Sequence, residues 1–240
     1  MAIAYVQEIE GEGPSVNSFP LTLGTNVTAG NFLGAMYSVF LSGGSIPNAT
    51  PTGGGTWNTT TAPTEQNAGN AFVCYAMNAT GGATTVTVDY GTGFYVEGSV
   101  VEFSGMVTTS ALDVQTSNSN AGSTTPTSGT TGTTSQANEL VLVCVQVSTS
   151  STNVGLDVPA TTGYTNLHVE QDSGSTIGHS SDYKIVSATG TQSAAWGTLS
   201  ASEAWSAKIA TFKEASAGGV TLPMVERGKT SGRGVNRGMR

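Results

Sequence analysis

The residues that could carry chemistry in this chain are few and widely spaced. His168 and His179 stand on either side of the turn-like run Asp-Ser-Gly-Ser-Thr-Ile-Gly at 172–178. With Glu170 or Asp172 they supply imidazole and carboxylate donors, which suit zinc. No close-spaced His pair and no Cys-x-x-Cys accompanies them, so the expectation is two surface residues on paired strands and no metal site. Asp89, Asp157 and Asp172 could join loop carbonyls around a calcium ion. The Asp-x-Asp-x-Asp spacing of such loops is absent, and these residues read as solvated loop acids. Glu97 and Glu102 share one extended run at opposite parity, which sends them to opposite sides of a sheet and denies them the paired-carboxylate role of a glycosidase. No Gly-x-Ser-x-Gly elbow occurs. The glycine-rich pieces at 52–56 and 91–98 lack the strand–glycine–helix setting and the lysine of a phosphate loop, so they read as turns. The expectation is a protein without a catalytic set, without a cofactor and not an enzyme.

Aromatic and sulfur side chains are the remaining candidates. Trp57 sits in the polar run Gly-Gly-Gly-Thr-Trp-Asn-Thr-Thr-Thr and is the candidate glycan-binding residue, because an exposed indole stacks on sugar rings. The alternative is that it covers the open end of a β-sandwich. Trp196 and Trp205 lie in strand-like segments and are expected in the core. Cys74 and Cys144 each sit inside an apolar run and are expected as buried free thiols; a disulfide between paired strands is the alternative.

Positioning falls to β-strands. Helical periodicity is nearly absent, and short apolar or alternating runs recur between clusters of Gly, Ser, Thr, Asn and Pro. The pattern predicts strands at 2–9, 31–41, 71–78, 83–90, 94–104, 139–148, 163–170, 179–188, 191–198 and 203–213. The run Asn-Ala-Thr-Gly-Gly at 78–82 predicts a hairpin turn joining 71–78 to 83–90. The run Glu-Leu-Val-Leu-Val-Cys-Val-Gln-Val (139–147) is apolar at both parities and predicts a central strand buried on both faces. Segment 203–214 fits a helix or a strand; its Trp, Ile, Thr and Phe favour the strand. The Ser/Thr/Gly/Asn-rich stretch 115–137 is expected as a long exposed loop or an irregular edge.

Charge is distributed unevenly. Only 10% of the 240 residues are charged, and none of the first 183 is Lys or Arg. Residues 1–220 hold 15 acids and 3 bases, a net of −12, whereas residues 221–240 hold 5 bases and 1 acid, a net of +4. An acidic body repels nucleic acid, which excludes that partner. The basic residues Arg227, Lys229, Arg233, Arg237 and Arg240 are the candidate partner-binding set, on an arm (216–240) that is expected to order only against a partner. The body is expected to be one domain, 1–215. The N-terminal residues carry neither a basic region nor a long apolar run, so no signal peptide is expected. No stretch approaches the ~20 apolar residues of a membrane-spanning helix, and no membrane partner is expected.

Four pieces, in order, carry a likeness. They are AFVCYAMNATGGATTVTVDY (71–90), VVEFSGMVTTSALDV (100–114), TTSQANELVLVCV (133–145) and DYKIVSATGTQSAAW followed by SAKIATFKEA (182–215). Together they resemble a β-sandwich domain, jelly-roll or concanavalin-like, of tailed-phage structural proteins and bacterial surface proteins. The resemblance spans about residues 30–215. It implies an all-β antiparallel sandwich, a virion location after synthesis in a host cytoplasm, and a decoration, fibre or adhesin role with no catalytic set to map. Unlike a tail fibre, this chain carries no repetitive shaft; it adds the basic arm instead. The expected function is a capsid decoration (cement) subunit. Its expected partners are further copies of itself, with a trimer as one arrangement, and another virion protein such as the major capsid protein. The alternative is a glycan-binding adhesin module of a phage tail or cell surface.

Overall fold

The computed structural model describes residues 1–41, 46, 49–66, 69–148, 155–156, 161–170 and 177–216. These residues are all-β and form twelve strands: β1 Ala4–Thr22, β2 Phe32–Phe40, β3 Thr56–Thr59, β4 Gly69–Met77, β5 Thr85–Ser104, β6 Leu112–Ser123, β7 Thr127–Thr130, β8 Asn138–Ser148, β9 Thr165–Glu170, β10 Ile177–Ser187, β11 Ser193–Ala195 and β12 Glu203–Lys213. They build two five-stranded antiparallel sheets, ordered β1-β5-β2-β4-β3 and β6-β12-β8-β10-β9, plus a two-stranded ribbon of β7 and β11. The basic arm lies outside the described residues, as do Asp157 and Asp172.

The two sheets follow one path twice. Writing β6, β8, β9, β10 and β12 in place of β1, β2, β3, β4 and β5 turns the first strand order into the second. The register agrees as well. Phe103 of β5 pairs with Phe32 of β2, and Phe212 of β12 pairs with Leu140 of β8. Two residues further along the central strands, Gly34 pairs with Tyr75 and Leu142 pairs with Tyr183. Phe103 and Phe212 are thus counterparts, and so are Tyr75 and Tyr183. Where the sheets meet, each phenylalanine packs on the other half's tyrosine. Phe103–Tyr183 and Tyr75–Phe212 both have ring centroids 5.0 Å apart.

Three apolar clusters stack through the body. The middle one fills the space between the sheets with Phe32, Met36, Val73, Phe103, Leu142 and Phe212 among others. The second covers the outer face of the first sheet, where β1 and β5 bend and fold Phe19, Leu21, Val86 and Val88 over Leu33, Tyr37 and Cys74. The bend falls where the β1–β5 register breaks, between Gly13 and Val16 and again before Ser18. The third covers the outer face of the second sheet, where Val141, Val143, Val145 and Ile209 meet Ala194, Trp196 and Leu199 from the β11 region. Each Val, Leu, Ile, Phe or Met side chain so buried contributes about 1.5–3 kcal/mol.

Several expectations are corrected by this arrangement. Segments 83–90 and 94–104 are one strand, β5, because Gly91 at φ 65° and the bend after it redirect the chain without ending the ladder. The 78–82 turn does not close a hairpin: β4 pairs with β2 and β3, whereas β5 pairs with β1 and β2, so β2 lies between them. Long-range pairing overrides the local turn signal. Of the two readings of the 115–137 stretch, the edge agrees with the structure and the long loop does not: it supplies edge strand β6, whose pairing with β12 has register shifts, and ribbon strand β7. The predicted 2–9 strand runs on to Thr22 and pairs within its own sheet, with β5. The strand reading of 203–214 agrees with β12, and β8 is buried along its length apart from Asn138.

Candidate functional site: a buried imidazole seam between the sheets

The layer between the sheets changes character along its length. At one end it is aromatic. At the other it holds Ser38 of β2, Glu97 and Ser99 of β5, His179 and Ser181 of β10, and Ser206 and Lys208 of β12, all buried. Each lies on the strand face that carries the aromatic residues, an even number of positions away.

β9 and β10 pair antiparallel, which brings His168 and His179 together with ring centroids 5.3 Å apart. The expectation of two surface residues is thereby overturned: His179 is 0% exposed and the His168 side chain 10%. Their partners come from the opposite sheet. His168 Nδ1 lies 2.5 Å from Glu10 Oε2, on β1. His179 Nδ1 lies 2.7 Å from Ser38 Oγ. The Ser38 hydroxyl donates to the Val145 carbonyl at 3.1 Å, so its proton is already placed and the His179 Nδ1–H donates to Ser38. Both rings are then Nδ1–H tautomers. Among the described residues neither Nε2 has a hydrogen-bond partner.

The chemistry this permits is limited. A serine nucleophile needs its proton accepted by an imidazole that a carboxylate orients. Here the carboxylate sits on one ring, the serine on the other, and the serine proton points at a backbone carbonyl. The Cys144 thiol lies 3.8 Å from both Ser38 Oγ and His179 Nδ1. Burial pushes its pKa far up, so it stays a thiol. Burial pushes the Cys74 thiol up to about 12 as well. The two cysteines sit in different clusters, on opposite faces of the packing, and are free thiols as expected. Burial also drives both imidazoles below their ordinary range. For His168 the neighbouring Glu10, Glu170 and Glu12 oppose that shift; for His179 the His168 charge adds to it. Among the described residues no group of three or more His, Cys, Asp or Glu is arranged to hold a metal ion.

Two further buried ionisable groups were not singled out in the sequence as site residues. Lys208 points into the layer between the sheets, its Nζ donating to Gln115 Oε1 at 2.7 Å; burial lowers its pKa to about 8. Glu139 at the start of β8 lies beside Asp113 and the Thr211 hydroxyl, and burial raises it to about 7. Asp113 is held low despite its own partial burial, because the Ser135 backbone N–H and hydroxyl both donate to it at 2.6 Å. The proton of this carboxyl pair therefore rests on Glu139. In an unfolded chain a Glu titrates near ~4.3. The stability that Glu139 contributes is full below that pH and is lost as pH rises through about 7. Glu139→Gln is expected to leave the pH 4 melting temperature unchanged and to stabilise the protein at pH 8 by about 1 kcal/mol. Parallel thermal melts at the two pH values check this.

The remaining expected positions divide. Glu97 and Glu102 do face opposite sides. Glu97 lies across from Ser38, whereas Glu102 accepts from Thr28 N, Asn31 Nδ2 and Gln7 Nε2 at 2.9, 2.6 and 2.6 Å. Trp57 lies on β3, a strand the pattern did not show, and is 8% exposed within the outer cluster of the first sheet. Its Nε1 donates to Gly53 O at 2.6 Å. The ring is a cover for the curled half of the molecule and offers no open stacking face. Trp196 and Trp205 are buried, as expected. Comparisons with protein-family models, with curated proteins and with solved structures gave no match.

Proposed function

We propose that this chain is a structural subunit of a particle surface, a virion decoration protein whose acidic β body is attached to neighbouring subunits by its basic C-terminal segment. The observation that carries the reading is the separation of charge. A body of net −12 precedes a twenty-residue segment of net +4 that holds five of the eight basic residues. Opposite charge on body and tail favours association between copies and disfavours wrong partners. A rigid, triply cored body also suits a subunit that must persist on an exposed shell. The sandwich of this proposal is read as a duplicated one and not as the jelly roll of the expected likeness. In a jelly roll the chain passes between its sheets in Greek-key fashion; the described residues fill the two sheets in chain order, which favours a duplicated sandwich instead. A glycan-binding role would need residues other than Trp57.

Truncation after Ser216 tests the proposal. The shortened chain is expected to keep the parent's circular dichroism and melting temperature. Its self-association, followed by sedimentation velocity, should weaken at least tenfold. Unchanged association in a folded truncated chain would overturn the attachment role of the tail.

A further inference from the structure

The tail needs an acceptor, and one strand of the body has the required properties. Among the described residues β1 is the terminal strand of its sheet and is paired with β5 alone. A terminal strand presents a row of unpaired backbone groups, which is a template for an added strand. Along its middle, β1 carries Glu8, Glu10 and Glu12 at alternate positions, with Glu10 and Glu12 exposed. From Ile9 to Thr22 the bend of the same strand encloses a groove of about 360 Å³, lined by Ile9, Glu10, Gly11, Glu12, Gly13 and Val16 among others.

The body ends close to the start of this strand. The Ala215 N–H donates to Gly105 O at 2.8 Å, and the preceding Ser104 pairs with Ala4 of β1. The twenty-four residues beyond Ser216 span at most about 80 Å when extended, longer than β1 itself at about 65 Å. They contain no acid other than Glu226, and the spacing Arg227, Lys229, Arg233, Arg237 repeats a positive charge every two to four residues. An extended chain with such spacing meets a row of alternate glutamates with charge of opposite sign.

We infer that residues 221–240 of one copy add as a strand to the free edge of β1 in a neighbouring copy, with their Arg and Lys side chains over Glu8, Glu10 and Glu12. This inference rests on the tail being the attachment device. It goes further by naming the acceptor and the mode, backbone pairing reinforced by charge.

Hydrogen exchange on the full chain, with sedimentation velocity alongside, tests it. Three proteins are compared: the parent, Glu8→Gln/Glu12→Gln, and Arg227→Gln/Arg233→Gln/Arg237→Gln. Glu10 is left in place because it holds His168. In low salt the parent should be oligomeric, with amides of residues 8–16 exchanging at least tenfold more slowly than in 0.5 M salt. Either variant should lose that protection and dissociate at least tenfold more readily, with an unchanged melting temperature. If the arginine variant dissociates while the glutamate variant keeps its association, the tail is the clamp but β1 is not its acceptor, and this inference alone fails. If the arginine variant associates like the parent, the tail reading fails with it. A monomeric parent with protected β1 amides would place the tail on its own body and overturn docking between copies.

Discussion

Cutting Phe212 back to alanine is expected to cost about 3–5 kcal/mol of folding stability, and cutting back Phe103 should cost a similar amount. Both rings are fully buried between the sheets. Phe212 meets Phe32 at 4.9 Å and Tyr75 at 5.0 Å between centroids; Phe103 meets Tyr183 at 5.0 Å and Tyr5 at 6.1 Å. The sheets close on each other through these two crossed pairs, so either deletion leaves a cavity at the seam between the halves. The equality of the two costs is the more informative part, because it follows from the repeated path and not from local sequence. Urea unfolding of the two single variants measures it. A cost below about 1 kcal/mol for one of them would mean that its half does not rely on the shared layer. The double variant should deviate from additivity, since both positions adjoin Phe32.

The second large effect is loss of stability in acid. His179 and His168 are driven below their ordinary range by burial, so the folded protein keeps them neutral at pH values where an unfolded chain, titrating near ~6.5, has begun to charge them. Between the unfolded and folded values the unfolded state binds more protons. Stability therefore falls as pH drops below ~6.5, by up to about 1.4 kcal/mol per pH unit for each ring. The structural cause is the pair of buried Nε2 atoms, which would each gain a proton with no acceptor beside it among the described residues. His179→Gln is expected to remove roughly half of this slope between pH 6.5 and 5 while leaving stability at pH 8 within about 1–2 kcal/mol of the parent. Melting curves across that range decide it. A variant with the parent's full acid slope would show that the seam does not control acid stability.

The strands that could be read from the sequence are those whose residues announce burial. β8 is apolar at both parities from Leu140 to Val145, and only a central strand accepts that pattern. β12 was legible because Trp205, Ile209 and Phe212 are strand formers. The second half of β1 was not legible. Glu10-Gly-Glu-Gly-Pro14 has neither β-branched residues nor an apolar face, and its strand character comes entirely from β5 beside it. The same holds for the imidazole seam. Spacing placed His168 and His179 on paired strands, but burial depends on Ser38, 141 positions away, and on Glu10 of the opposite sheet. One signal of the repeated fold was present. The strand with Tyr75 is followed by Ala79-Thr80-Gly81, and the strand with Tyr183 by Ala188-Thr189-Gly190.

These structural effects bear on function through rigidity. In the proposed role, a body with three apolar layers would resist unfolding while the tail engages neighbours, and the acid sensitivity of the seam would set the pH range over which the two halves stay closed. The reading as a surface subunit is most directly tested by fractionating particles released from cells that produce this chain. Density-gradient fractions, analysed by mass spectrometry, are predicted to hold peptides of the body in many copies per particle, released by high salt as the tail contacts weaken. A chain found only in the soluble fractions, at low salt and with particles present, would contradict the account.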